Sequence, residues 1–309
     1  MPGQFTYYDM AQSETERGHR WAAITDTKRA YSFEPIPDAD LTPEEQKNII
    51  GVQGALWSEY LDRPARIMEY QSYPRISALS EIGWSKKEDK NWDDFYGRLT
   101  HSHLQRLANM GIAFRDFPPT AIYKNGTITV TPPYEGAVVR FDKDGNEPTR
   151  QSPLYTGPIQ TKDYEQYMFR VFFNEMSASP AVKVEKLPVA TWNTSKAEVL
   201  TISENISEHV DKKGIWYLTF NPTDDGVNGT IKNVSLFEND KLVHTYADEK
   251  ALKSKPRSRF LIENYNEKNI YRLDFTVENK EEKKSAANVK FNCSPYQEPE
   301  VKVTSSMAE

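Results

Sequence analysis

From Met1 to about Phe117, short strand-like apolar runs alternate with stretches of helical periodicity, the pattern of an α/β fold. Thr42-Pro43-Glu44-Glu45 reads as a helix start, because Thr42 can cap, Pro43 suits the first helical position and the carboxylates favour the positive end of the helix dipole. That helix reaches Ile49-Ile50, and the run Gly51-Val52-Gln53-Gly54-Ala55-Leu56-Trp57 follows as a strand. Ile67, Tyr70, Ile76, Leu79 and Ile82 give Arg63 to Trp84 a helical face, which Pro74 should kink or break near Tyr73. A further helix opens at Asn91, buries Phe95, Leu99, Leu107 and Met110, and closes at Gly111.

Beyond Phe117-Pro118-Pro119 the pattern changes to strands and turns. Gly136 to Phe141 leads into the turn Asp142-Lys143-Asp144-Gly145, and Tyr164 to Asn174 supplies an aromatic strand. A small immunoglobulin-like sandwich fits this length. After Leu187-Pro188, which reads as a linker, strands recur without helices from Trp192 to Pro295, as in a jelly-roll-like sandwich. The charged run Glu278 to Lys284 reads as a solvated hairpin tip. The expected divisions are 1–117, 118–187 and 188–297, with a polar tail at 298–309.

Composition narrows the function classes. With 39 basic and 45 acidic residues the chain is mildly acidic, which argues against nucleic acid as a partner. No run approaches the apolar length of about 20 residues that crosses a bilayer. Cys293 is the only cysteine, so neither an internal disulfide nor a cysteine metal site is available. His101 and His103, two apart on a helix, diverge and do not form a metal site, and no phosphate loop or nucleophile elbow occurs. No cofactor or metal is expected. The six Asn-x-Ser/Thr triplets read mostly as turn chemistry.

Two predicted strands place an aromatic ring and a carboxylate two residues apart: Tyr7 with Asp9, and Trp57 with Glu59. Alternate strand residues share a face, so each pair can line one surface. An aromatic ring packs on the C–H face of a pyranose while a carboxylate accepts hydrogen bonds from its hydroxyls. Pattern alone favours a plainer reading, with Trp57 in the core and Glu59 opening the next loop. Trp192, Trp216 and Tyr217 could form a sugar platform on the last sandwich, although strand aromatics are more often core.

Residues 51–59, then Tyr73-Pro74-Arg75-Ile76-Ser77-Ala78-Leu79-Ser80-Glu81 and Trp84-Ser85, resemble the final strand and following helix of family 20 glycoside hydrolases. Tyr7-Tyr8-Asp9 resembles that family's seventh strand, with Trp21 in the loop after it. Phe141 to Thr149 and Ser152 to Ile159 are similar to the immunoglobulin-like domain that follows the barrel in chitobiases and hexosaminidases. The resemblance implies the C-terminal portion of a (β/α)8 TIM barrel followed by two all-β sandwiches.

It also implies exo-hydrolysis of terminal β-linked GlcNAc or GalNAc, in which the substrate's own 2-acetamido group attacks the anomeric carbon. By similarity Tyr7 orients the acetamido oxygen, Trp57 stacks on the sugar, Trp21 helps to enclose the acetamide, and Asp9 and Glu59 bind hydroxyls. The partners implied are N-acetylhexosamine-containing glycans. The family's acid comes from an Asp-Glu pair upstream of this segment. The only such pair here, Asp248-Glu249, lacks the family context and reads as a solvated turn. The general acid is therefore expected outside this chain, and the barrel strands are expected to be poorly ordered or differently packed unless a missing barrel segment or another copy completes them. A full-length parent would be periplasmic, outer-surface or extracellular. The alternative is a non-catalytic protein for glycan binding or cell-surface attachment.

Overall fold

Helices dominate the chain before residue 118 and strands dominate after it in the computed structural model, which describes residues 2–36, 41–57, 65–124 and 126–294. Contacts divide the chain into two compact units. The first contains Met1–Ala121, Thr129–Pro158 and Asp163–Val184, and the second Ile122–Ile128, Ile159–Lys162 and Glu185–Glu309.

The helices are α1 (Gly3–Thr6), α2 (Thr27–Tyr31), α3 (Pro43–Gln46), α4 (Ala65–Ser72), α5 (Arg75–Trp84), α6 (Trp92–Arg98) and α7 (Leu104–Asn109), the last two joined by a π-helical turn over Leu99–His103. Thr42 and Glu45 cap α3 reciprocally, as the sequence suggests, although the helix stops at Gln46. Pro74 separates α4 from α5, since a proline cannot donate the next helical hydrogen bond. Asn91 caps α6 by accepting from the Asp94 amide. Met110, expected to be buried, is 63 % exposed: it lies at the C-cap, where the chain turns away through left-handed Gly111 (φ 72°). Phe95, Leu99, Leu104 and Leu107 pack with Tyr31, Ala78 and Phe114 to form the core beneath these helices.

The strands are β1 (Thr120–Lys124), β2 (Thr127–Thr131), β3 (Val139–Asp142), β4 (Ile159–Gln160), β5 (Met168–Val171), β6 (Val182–Lys183), β7 (Glu185–Lys186), β8 (Ala190–Thr194), β9 (Glu198–Asn205), β10 (Gly214–Val227), β11 (Thr230–Glu238), β12 (Lys241–Tyr246), β13 (Lys250–Ala251), β14 (Arg257–Ile262), β15 (Tyr271–Asn279) and β16 (Ser285–Cys293). In the first unit β3, β5 and β6 form an antiparallel sheet. The turn after β3 is held by the Asp142 carboxylate, which accepts from the amides of Asp144 and Asn146, and by Gly145 at φ 81°.

Two sheets make the sandwich of the second unit, ordered β14-β10-β16-β8 and β12-β11-β15-β9. Strict alternation drives this packing: β15 buries Tyr271, Leu273, Phe275 and Val277 while its intervening residues face outward. Those side chains share one core with Trp216, Leu218, Phe220, Phe260 and Phe291 from the other sheet. The charged run after β15 is not the expected hairpin tip: β15 and β16 lie in different sheets, so it is the exposed loop that crosses from one to the other.

Asp116 is among the buried acids of the first unit. Asp116 is fully buried and accepts hydrogen bonds from the Tyr134 hydroxyl at 2.7 and 2.8 Å and from the Phe117 amide at 2.8 Å. Burial pushes its carboxyl from 3.8 up to about 6, against the opposing pull of Tyr134, the Phe117 amide and Arg115. The native state therefore holds this proton more tightly than the unfolded chain. Stability from this group is present below about pH 4 and is lost as pH rises to about 6, a change of roughly 3 kcal/mol. In denaturant titrations, Asp116→Asn should gain about that much on wild type between pH 4 and pH 7. A pH-independent difference between the two proteins would refute this.

Candidate functional site

Helix α1 delivers the chain to Tyr7, where a parallel bridge joins Tyr7 to Ala55. The Tyr8 amide donates to the Ala55 carbonyl at 2.7 Å and the Ala55 amide to the Thr6 carbonyl at 2.9 Å. The two expected strands are thus reduced to a single bridge. Gly54 is required by the close approach: a Cβ there would lie 2.7 Å from the Tyr8 ring.

Immediately after the bridge the chain turns, with the Met10 amide donating to the Tyr7 carbonyl at 3.3 Å. This corrects the expectation that Tyr7 and Asp9 share one strand face, because alternation does not survive a turn. Tyr7 stays half-buried, whereas Asp9 is only 2 % exposed. Its Oδ1 atom has no hydrogen-bond partner among the described residues, a costly state for a buried polar atom.

Three of the aromatic candidates meet. The Tyr7 ring lies 6.1 Å from that of Trp21, edge to face at 83°, and 6.2 Å from that of Trp57 at 50°. Both indoles are open to solvent, Trp21 at 68 % and Trp57 at 51 % exposure. Trp57 is therefore not a core residue. Large exposed rings around a phenol offer apolar faces to a ligand, with the hydroxyl as a polar handle. Glu59 lies outside the described residues.

What supports these side chains was not legible as a motif. Arg75, fully buried at the start of α5, donates to the carbonyls of Met10 (3.0 Å), Thr25 (2.9 Å), Tyr8 and Gln71. One guanidinium thereby ties the Tyr8–Met10 turn to α4, α5 and the segment before α2. Burial lowers its proton affinity, an effect opposed by Tyr8, Glu16 and Asp9. The Tyr8 phenol is pushed up to about 12 by burial, despite the nearby Arg75.

A second buried pair lies in the same unit. Arg115 grips Glu16 with both Nε and Nη2 at 2.8–3.0 Å, and the Tyr70 hydroxyl donates to Glu16 at 2.9 Å. Burial raises Glu16, but the guanidinium outweighs it and holds the carboxyl low. Nothing local signals this pair, because the partners are 99 residues apart.

Other candidates fall away. Asp248 pairs with Lys250 at 3.1 Å and Glu249 with Lys232 at 2.8 Å, both on exposed positions, as expected of a solvated turn. Among the described residues there is no group of three or more metal-ligating side chains. No described helix is long and apolar enough to cross a membrane. Trp192 is 8 % and Trp216 0 % exposed, so both are core and cannot form the sugar platform considered with Tyr217.

Residues 1–87 match the catalytic domain of glycosyl hydrolase family 20, and residues 118–183 match the chitobiase/β-hexosaminidase C-terminal domain. Over residues 1–87 the chain is thus similar to the family 20 glycosyl hydrolases. Among the relatives of this family 20 segment, a β-hexosaminidase of Vibrio furnissii is 42 % identical over 88 residues, covering 28 % of this chain and 14 % of that protein. One from Vibrio vulnificus is 28 % identical over 193 residues, covering 47 % and 23 %. A crystal structure of the Vibrio harveyi exo-β-N-acetylglucosaminidase with N-acetylglucosamine shares 35 % identity, covers 37 % of this chain and 18 % of that one, and gives a TM-score of 0.33. The chain spans 14 to 23 % of the length of the first curated relatives.

Proposed function

We propose that this chain is the C-terminal part of a β-N-acetylhexosaminidase, contributing one wall of its sugar pocket. The observation that carries the reading is the convergence of Tyr7, Trp21 and Trp57 with both indoles exposed. Trp57 stacks on the C–H face of the terminal sugar, and Trp21 closes over the acetamido methyl. The Tyr7 hydroxyl donates a hydrogen bond to the acetamido oxygen. Asp9 brings a carboxylate oxygen that has no hydrogen-bond partner among the described residues and would take a ligand hydroxyl, and Glu59 binds a second hydroxyl.

In the reaction the acetamido carbonyl oxygen attacks the anomeric carbon as the glycosidic C–O bond breaks, giving an oxazolinium ion, and the leaving oxygen takes a proton from a general acid. Water, giving its proton to the conjugate base of that acid, then attacks the anomeric carbon and displaces the acetamido oxygen, so that two inversions leave the configuration retained overall. Such substrate-assisted hydrolysis needs no enzyme nucleophile. It also needs no cofactor. The general acid belongs to an upstream Asp-Glu pair in a parent that works outside the cytoplasm. This segment supplies orientation and transition-state hydrogen bonding.

The test uses an aryl β-N-acetylglucosaminide. The purified chain should give no turnover, whereas a chain extended upstream through a complete barrel should hydrolyse it, and Tyr7→Phe in that longer protein should lower kcat by about a hundredfold. Turnover by the present chain that falls with Glu59→Gln would overturn the assignment of the acid to an upstream segment. Full activity of Tyr7→Phe would overturn the role of the phenol.

A further inference from the structure

The loop that runs from Met10 to Trp21 is folded before any sugar arrives. Its neck is closed by two backbone hydrogen bonds of 2.8 Å, from the Ala11 amide to the His19 carbonyl and from the His19 amide to the Asp9 carbonyl. Inside the loop the Arg20 guanidinium donates to the carbonyls of Glu14 (3.2 Å), Gly18 (3.3 Å) and Glu16. One planar fork thus gathers a segment whose Glu14, Thr15 and Arg17 are exposed. Trp21 is the next residue. Its ring lies against α1, where a Cβ on Gly3 would come within 3.0 Å of it, and it meets the Tyr7 ring edge to face.

The same loop is tied to a distant part of the first unit. The Glu16 carboxylate, held by Arg115 and by the Tyr70 hydroxyl, fastens it to the segment 113–116. That segment is stitched in turn to the β3-β5-β6 sheet. The Phe114 amide donates to Ser177 Oγ and the Asp116 amide to the Ala178 carbonyl, each at 3.1 Å, while Ala178 bridges Phe172 and the Ser179 amide donates to the Val171 carbonyl of β5 at 2.9 Å. Arg115 is 5 % exposed, and a two-pronged grip on a carboxylate fixes direction as well as distance. A continuous path therefore leads from β5 through Ala178, Arg115, Glu16 and Arg20 to Trp21, all within one compact unit.

We infer that Glu16, Arg20 and Arg115 are positioning residues for Trp21, through which the β3-β5-β6 sheet sets how closely the pocket fits the acyl group of its sugar. The inference rests on the reading of Tyr7, Trp21 and Trp57 as a sugar wall. A ring that closes over an acetamido methyl has to be held to within about 1 Å, since a displacement of that size costs up to about a hundredfold in rate. Trp21, at 68 % exposure, has little packing of its own to hold it. Its position is inherited from the loop behind it, and the loop's from the sheet.

The test is fluorine NMR of the full chain with its six tryptophans replaced by 5-fluorotryptophan, each signal assigned by changing one tryptophan to phenylalanine. Arg20→Ala and Glu16→Gln should each shift and broaden the Trp21 signal. Trp92, packed on the helical core, and Trp192 and Trp216, buried in the second unit, should keep their wild-type signals. Arg115→Lys, which keeps the charge without the fork, should give a smaller shift. An unmoved Trp21 signal in either of the first two variants would overturn the inference, and so would a Trp92 signal that moves with it in Arg20→Ala, because the effect would then be a general loosening. In the protein extended upstream, Arg20→Ala should also narrow the preference for an N-acetyl over an N-butanoyl aryl glucosaminide by about tenfold, the scale on which a pocket reads a methylene. Equal losses on both substrates would assign the loop to stability alone. Inactivity of that longer protein as wild type would count against the sugar wall, whereas the fluorine signals, recorded without sugar, decide separately whether the loop holds Trp21.

Discussion

Arg75→Leu should abolish the cooperative unfolding transition of the first compact unit while leaving that of the second in place. The guanidinium is fully buried, and its hydrogen-bond acceptors are the carbonyls of Tyr8, Met10, Thr25 and Gln71. Each buried acceptor left without its donor costs about 1–3 kcal/mol. The combined loss of about 5 kcal/mol or more is comparable with the whole stability of a typical domain. Arg75→Lys restores a charge but not the planar fork that spans carbonyls on three segments, so it should recover only part of the loss. Unfolding followed by far-ultraviolet circular dichroism, with helix loss and strand loss tracked separately, distinguishes the units. An Arg75→Leu protein with an unshifted helical transition would show that the guanidinium is not what holds the Tyr8–Met10 turn.

Trp216→Ala should destabilise the second unit by about 3–5 kcal/mol, the usual cost of truncating a fully buried large aromatic side chain. Trp216 is 0 % exposed, stacks on Phe291 with ring centroids 5.0 Å apart, and donates its indole N–H to the Lys212 carbonyl at 3.2 Å. The Lys186 ammonium lies 5.4 Å from the ring, adding a cation–π contact. Trp216→Phe keeps the stacking surface but leaves a cavity and frees the Lys212 carbonyl, so a smaller loss of about 1–2 kcal/mol is expected. Denaturant midpoints measure both. If Trp216→Ala left stability intact and removed glycan binding, the residue would be a ligand platform after all, against its burial.

These two side chains illustrate what local pattern conveys and what it does not. The alternation in β15, the break at Pro74, the caps at Thr42 and Asn91 and the Asp142–Gly145 turn all follow from interactions between residues close in sequence, so they were readable as such. The run beginning Tyr73-Pro74-Arg75 carried a family resemblance, yet it gave no hint that Arg75 would be the buried tie among three segments. Its acceptors are backbone carbonyls, which carry no signature in the identity of the residue, and Met10 is 65 positions away.

The site divides along the same line. Sequence by itself determined the inventory: a phenol at position 7, indoles at 21 and 57, carboxylates at 9 and 59, and a run of strands beyond residue 118. Only the tertiary structure decided that Tyr7, Trp21 and Trp57 converge, that Asp9 turns inward, and that Trp192 and Trp216 belong to a core. The physical reason is that the same apolar ring can be covered by a neighbouring sheet or by a ligand that docks on it, so its identity does not select between core and cleft. The choice is made by which faces the long-range pairings Tyr7–Ala55 and Trp216–Cys293 bring inward.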